Sequence, residues 1–329
     1  MANKQEKNGI KKLVAGVAIG LAVVMSLGAL VIAGKAMGWF EKASEEPQET
    51  LEALNFEETA YGTYAVSLKD YDAEEVVIPE EYEGKKVTEI QGNSYLPLFI
   101  NIEELGNSEE ETKQIIDEAS GMIDSSVVDT NALGIERGKI GFAFATNLKK
   151  ITIPDTVVKI YDGAFIGCYS LTEIIIPDSV REIGTYAFLG ATELEKIVFP
   201  ENLLKGGVGG FSFCFGLKEV ECPKMEILPM GMFMHCPNLE KVIIPEGVKT
   251  VSMQIFFDCT GLKEVVLPET LEEIEVGAFN GCTGLKTVYN LSALKIEAGS
   301  EEYGGVARYA ENVYTEYPLK TEPETSETA

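Results

Sequence analysis

The chain has 329 residues, of which 45% are apolar and 24% charged, enough for a sizeable core and about two domains. Its 27 Lys and Arg against 53 Asp and Glu give a net charge of −26, and a surface that acidic repels a phosphate backbone, which excludes nucleic acid as a partner. A single histidine, His235, excludes mechanisms that need two imidazoles and weakens most Ser-His-Asp, Cys-His and zinc-site templates.

The charge is unevenly spread. Residues 1–40 hold five lysines and one acid, +4, so residues 41–329, with 22 bases and 52 acids, carry −30. Residues 1–12 form a basic segment, and from Leu13 to Gly34 no residue is charged, a run of 22. A secretory apolar core is about 7–15 residues and a bilayer needs about 20, so residues 13–34 read as one transmembrane helix contacting the lipid bilayer. Lys4, Lys7, Lys11 and Lys12 precede it and Glu41, Glu45, Glu46 and Glu49 follow. The positive-inside preference then puts the N-terminus in the cytoplasm and the rest outside the cell. The competing reading is a signal peptide cleaved near Ala33-Gly34-Lys35-Ala36, which would release a secreted protein. Residues 35–53 form an acidic, polar tether.

An insertion of about 44 residues, 96–139, carries a helix signal from Asn107 to Ile123, with acids in the first turn and Ile115, Ile116, Ala119, Met122 and Ile123 near one face. It either packs back on the body of the protein or protrudes as a recognition element, with Leu98 and Phe99 as candidate contacts.

Residues 140–290 repeat. Prolines fall at 154, 177, 200, 223, 245 and 268, with spacings of 23, 23, 23, 22 and 23. Phe142, Phe165, Phe188, Phe211, Phe233, Phe256 and Phe279 keep the same step, as do Leu148, Leu171, Leu194, Leu217, Leu239, Leu262 and Leu285. Two residue types in one register over seven units, with a third over six of them, define a solenoid. One unit reads F-x-x-C-x-x-L-x-x-I-x-I-P-x-x-V-x-x-I from Phe165 to Ile183. The I-x-I predicts a short strand, and the proline ends it because it lacks an N–H for the ladder. In Lys205-Gly206-Gly207-Val208-Gly209-Gly210, Gly206 replaces the Ile183 anchor, which predicts the weakest junction between coils.

Gly163-Ala164-Phe165, Leu171-Thr172-Glu173-Ile174-Ile175-Ile176-Pro177 and Gly277-Ala278-Phe279-Asn280-Gly281-Cys282 resemble the BspA-type leucine-rich repeat family of bacterial and protist surface proteins. Tyr61-Gly62-Thr63-Tyr64-Ala65-Val66 and the run from Val76 to Ile90 look like the cap that opens such arrays. The resemblance implies a mainly β fold, a leucine-rich-repeat solenoid of about seven coils of 22–23 residues. It also implies a surface-exposed binding or adhesion module without catalysis, and names no partner. Residues 54–95 are then the N-terminal cap, 291–317 the C-terminal cap and 318–329 a disordered tail.

Cys168, Cys214, Cys236, Cys259 and Cys282 share the slot three residues after the repeat phenylalanine, which Ala145 and Ala191 fill elsewhere, and Cys222 replaces Ile176. Exchange with alanine and isoleucine marks packing residues, although a disulfide between adjacent coils is within reach. His235 falls at a corner, where an exposed side chain is expected. No spacing marks a metal or cofactor site.

On the outward face of the strands one row reads Lys150, Glu173, Lys196, Glu219, Lys241, Glu264, Thr287, so each lysine is expected between two glutamates. The next reads Thr152, Ile175, Val198, Glu221, Ile243, Val266, Tyr289. Ile175, Val198, Ile243, Val266 and Tyr289 are either residues chosen for β-propensity or an apolar binding stripe. The sequence as a whole reads as a non-catalytic, membrane-anchored cell-surface protein that binds a protein or glycan. The alternatives are a structural scaffold of an envelope complex and, from another class, an exported carboxylate hydrolase.

Overall fold

The computed structural model describes residues 51–96, 108–124 and 139–318. The expected anchor, most of the tether, the 319–329 stretch of the tail, Leu98 and Phe99 lie outside them, and among the described residues no helix is long and apolar enough to cross a membrane.

Short strands wind into a solenoid. In chain order they are β1 (Leu54–Glu58), β2 (Tyr64–Leu68), β3 (Glu75–Val77), β4 (Glu81–Tyr82), β5 (Lys85–Ile90), β6 (Lys150–Thr152), β7 (Lys159–Ile160), β8 (Glu173–Ile175), β9 (Glu182–Ile183) and β10 (Lys196–Val198). They continue as β11 (Lys205–Gly206), β12 (Glu219–Glu221), β13 (Ile227–Leu228), β14 (Lys241–Ile243), β15 (Thr250–Val251), β16 (Glu264–Leu267), β17 (Glu273–Ile274), β18 (Thr287–Asn290) and β19 (Asn312–Tyr314). In the repeats, the I-x-I strands, β6 through β18 at every second label, make the front face. The shorter strands between them, β7 through β17, make a second face. The glycine-rich turn with the repeat phenylalanine closes each coil.

The caps are more repeat-like than the sequence reading allowed. Val76-Val77-Ile78-Pro79 is itself a front strand, because β3 pairs in parallel with β6 in register Val76 to Ile151. At the far end β19 pairs in parallel with β18, Val288 beside Val313. Each cap thus adds one strand to the front. The N-terminal edge of the second face is closed by the antiparallel β1–β2 hairpin, whose β2 runs parallel to β5.

The core is built from the repeated apolar slots, which lie at or near zero exposure. Phe142, Phe165, Phe188 and Phe211 stack face to face with ring centroids 4.8–5.1 Å apart, and Phe211, Phe233, Phe256 and Phe279 continue the column at 5.1–5.8 Å. All six cysteines are buried and free. The slot shared with alanine has a further use: the thiol donates to the carbonyl of the phenylalanine one coil earlier. Cys168 reaches Phe142 O at 2.9 Å, and Cys259 and Cys282 reach Phe233 O and Phe256 O at 3.1 Å.

The insertion contains helix α1 (Glu109–Asp124). Ser108 Oγ accepts the Glu111 N–H at 3.2 Å, an N-cap. The helix packs back on the solenoid. Ile116 is fully buried with Phe144, Ile166, Leu189 and Phe213, and Lys113 pairs with Glu193 at 2.8 Å. Its seat is bare backbone: a Cβ on Gly167 or Gly190 would stand 2.8 or 2.7 Å from an Ile116 methyl, so only glycine fits beneath it.

The junction flagged by Gly206 is where both faces are interrupted, whereas between β6 and β8 only the front is. The second face stops at β11 and restarts as β13-β15-β17, and at the same junction β10 does not pair with β12. Three side chains account for it. Phe199 stands where its neighbours have Ile176 and Cys222, wedged edge-on against Phe211 and Phe233 at 5.2 and 6.3 Å. In the following coil Met225 and Pro229 crowd the slot that Gly206 leaves without a side chain. The turn side alone stays laddered, through Gly209 N–H to Met230 O and Phe211 N–H to Met232 O at 3.0 and 2.8 Å. Amides of β12 and β13 should therefore exchange with deuterium faster than those of β14 and β15; equal rates would remove the argument.

Candidate functional site

The front face is where the fold sets out side chains that the core does not need. Along each three-residue strand the central residue points inward, as Ile174 and Val242 do at zero exposure, and the flanking residues point out. The charged row forms as expected only at Lys241, which lies 3.2 Å from Glu264 and 4.0 Å from Glu219. Among the described residues Lys150, Glu173 and Lys196 make no ion pair. Exposed pairs contribute too little to hold long side chains in place, and β6 does not pair with β8.

The apolar row divides into two halves. Ile175 is 55% exposed and Val198 40%, whereas Val266 is only 6% exposed and Ile243 and Tyr289 are half-buried. The stripe is thus not open along its length, and the chain itself covers it. After β19 the backbone turns so that Tyr317 packs edge-on against Tyr289 with centroids 4.8 Å apart, while its ring lies 5.7 Å from Lys241 Nζ. Lys241 is on β14 and Tyr289 on β18, so the Tyr317 ring sits over β16, where Val266 points. A hydrogen bond with the Tyr317 hydroxyl, ahead of the one with Glu264, holds the Lys241 ammonium above the usual lysine range.

The open half carries a cleft of about 400 Å³ where β6 and β8 part. Ile175 and Val198 line it together with Lys150, Glu173, Asp155 and Asp178. A second, smaller cleft of about 260 Å³ follows at the Phe199 junction. A third hollow, near the N-terminal hairpin, has Tyr61 at its rim. Its polar groups already serve one another, Gln91 donating to Glu57 at 2.7 Å and Tyr161 to Glu89 at 3.0 Å.

The first residue after each repeat proline forms a column that the row-by-row sequence reading missed: Asp155, Asp178, Glu201, Lys224, Glu246, Glu269. Part of it is structural. Asp178 accepts the Glu201 N–H at 2.9 Å, Glu246 accepts the Glu269 N–H at 3.0 Å, and Lys224 neutralises Glu201 at 2.7 Å. His235 also departs from expectation. It is half-buried, stacked on Phe213 at 4.7 Å with Nδ1 3.3 Å from Asp258, and burial lowers its pKa while Asp258 opposes the shift. Among the described residues no group of His, Cys, Asp and Glu could hold a metal ion.

The model of the BspA type leucine rich repeat region matches residues 138–229 and 226–300, in six copies. Among solved structures, a leucine rich repeat protein of T. pallidum is 24% identical, covers 74% of this chain and 91% of its own, and superposes with a TM-score of 0.53. That likeness shows a shared fold. A leucine-rich repeat protein from Eubacterium ventriosum is 27% identical over 55% of this chain and 41% of its own, with a TM-score of 0.33. No curated protein matches the chain.

Proposed function

The chain belongs to the BspA-type leucine-rich repeat family, and we propose that it is a membrane-anchored cell-surface module that binds a protein or glycan partner through the open half of its front face, without catalysis. One observation carries this reading. Ile175 and Val198 stand exposed on a regular face over a cleft of about 400 Å³, where no core contact requires an aliphatic side chain. The uncharged run from Leu13 to Gly34 and its flanking charges support the anchor.

Crosslinking on intact cells that display the full chain tests the binding face. A surface partner captured by the wild type and lost from the Ile175→Ser, Val198→Ser double variant is the expected result; undiminished capture by that variant overturns the reading. The anchor has its own test. The full chain should stay in alkali-washed membranes and a version lacking residues 13–34 should not, whereas a processed product free in the medium would identify a cleaved signal.

A further inference from the structure

The cleft beside β8 is apolar on its floor and acidic on one rim. Ile151, Ile153 and Ile176 line it as buried residues, Ile175 and Val198 are its exposed apolar lining, and Asp155 and Asp178, exposed neighbours in the column after the prolines, border it. Asp155 and Asp178 stand in successive coils of that column, at the step where β6 and β8 do not pair. Like charges in neighbouring coils repel one another, and in this half lysine offsets them only at Glu201. Neither Asp155 nor Asp178 makes an ion pair within 4.0 Å among the described residues, the nearby Arg181 guanidinium donating to the Asp178 backbone carbonyl at 2.5 Å instead. Lys150 is the one base that lines the cleft, against the three acids Asp155, Glu173 and Asp178.

We propose that this cleft takes an extended, basic protein segment that places an aliphatic or aromatic side chain between Ile175 and Val198 and a Lys or Arg on the Asp155–Asp178 rim. The inference rests on the binding reading above and narrows it to one partner class. Charge complementarity favours a cationic ligand. The floor favours a polypeptide over a glycan, because its exposed side chains are aliphatic and no aromatic ring lines the cleft outside Phe199, which is turned into the core against Phe211. The rim charges are exposed, so their share of the affinity is screened within a Debye length of about 10 Å at 0.1 M salt.

The test uses the full chain in detergent and fluorescein-labelled Lys-Leu-Lys-Phe-Lys, with Glu-Leu-Glu-Phe-Glu and Lys-Ser-Lys-Ser-Lys as controls, read by fluorescence polarisation. The basic apolar peptide should bind at least about tenfold tighter than either control. Ile175→Ser with Val198→Ser should remove that preference. Asp155→Asn with Asp178→Asn, at surface positions that leave the core untouched, should weaken binding about tenfold at 50 mM salt and much less at 500 mM. Equal binding of the acidic peptide, or affinity unchanged by the asparagine pair, overturns the proposal. If cell-surface capture still depends on Ile175 and Val198 but the captured ligand is acidic or a glycan, this inference fails and the binding face stands. If nothing depends on those two residues, both fail.

Discussion

Phe188→Ala should destabilise the solenoid by about 3–5 kcal/mol, the usual cost of removing a fully buried phenylalanine. Its ring is stacked at 4.8 Å on Phe165 on one side and at 4.8 Å on Phe211 on the other. Truncation therefore leaves a cavity in a column whose spacing the turn ladder holds on both sides, through Phe165 N–H to Ala187 O and Phe188 N–H to Gly210 O at 2.7 and 2.8 Å, so the site collapses little. Because a solenoid is stable through nearest-neighbour interfaces, the loss should uncouple the coils before it from those after it. Phe279 closes the column with a single ring neighbour, Phe256, tilted by 30° at 5.1 Å, so Phe279→Ala should cost clearly less. Urea unfolding of both variants checks this, and equal losses would mean that stacking across coils contributes nothing beyond burial.

The second large effect is alkaline collapse. Burial pushes the thiols of Cys168 and Cys282 up to about 12, and it raises those of Cys214, Cys222 and Cys259 well above the ordinary range. An unfolded cysteine ionises near pH 8.5. A raised folded value stabilises the native state fully below the unfolded value, and that stability is lost as pH climbs toward the folded value. Each such thiol then costs up to about 1.4 kcal/mol per pH unit above roughly 8.5, and the costs of the five act in the same direction. Against a total of about 5–15 kcal/mol, unfolding should follow near pH 10 in reducing buffer. The Cys168→Ala, Cys282→Ala variant fits slots that Ala145 and Ala191 already occupy, and its circular-dichroism midpoint should move to higher pH. A midpoint that does not move would assign the alkaline limit to other groups.

The coil register was legible because phenylalanine, leucine and proline each recur at fixed phase, and each recurrence has one cause: a slot in a common core. The packing role of the cysteines followed from their exchange with alanine, but the bond from each thiol to the previous coil did not, since only the backbone path shows which carbonyl lies within reach. The front strand at Val76-Val77-Ile78 was hidden by the insertion, which puts it out of step with β6 although the two are neighbours in space. Helix α1 could be read from its capping and periodicity. Its seat could not, although Gly167 and Gly190, in the slot that Phe144 and Phe213 occupy in the flanking coils, were a visible signal of something packed on bare backbone. The division of the apolar stripe had no local signature, because Tyr317 covers β16 from more than forty residues away.

That covering by Tyr317 limits what the protein can grip. The open front runs from β3 to β12, five strands, and at about 4.8 Å per coil it is roughly 19 Å long. Taken as a square of about 19 Å on a side it offers about 360 Å², below the roughly 800 Å² per partner of a standard interface. On the proposed binding reading, a single molecule would hold its ligand briefly, and lasting attachment would come from avidity, many copies engaging a repetitive target at once.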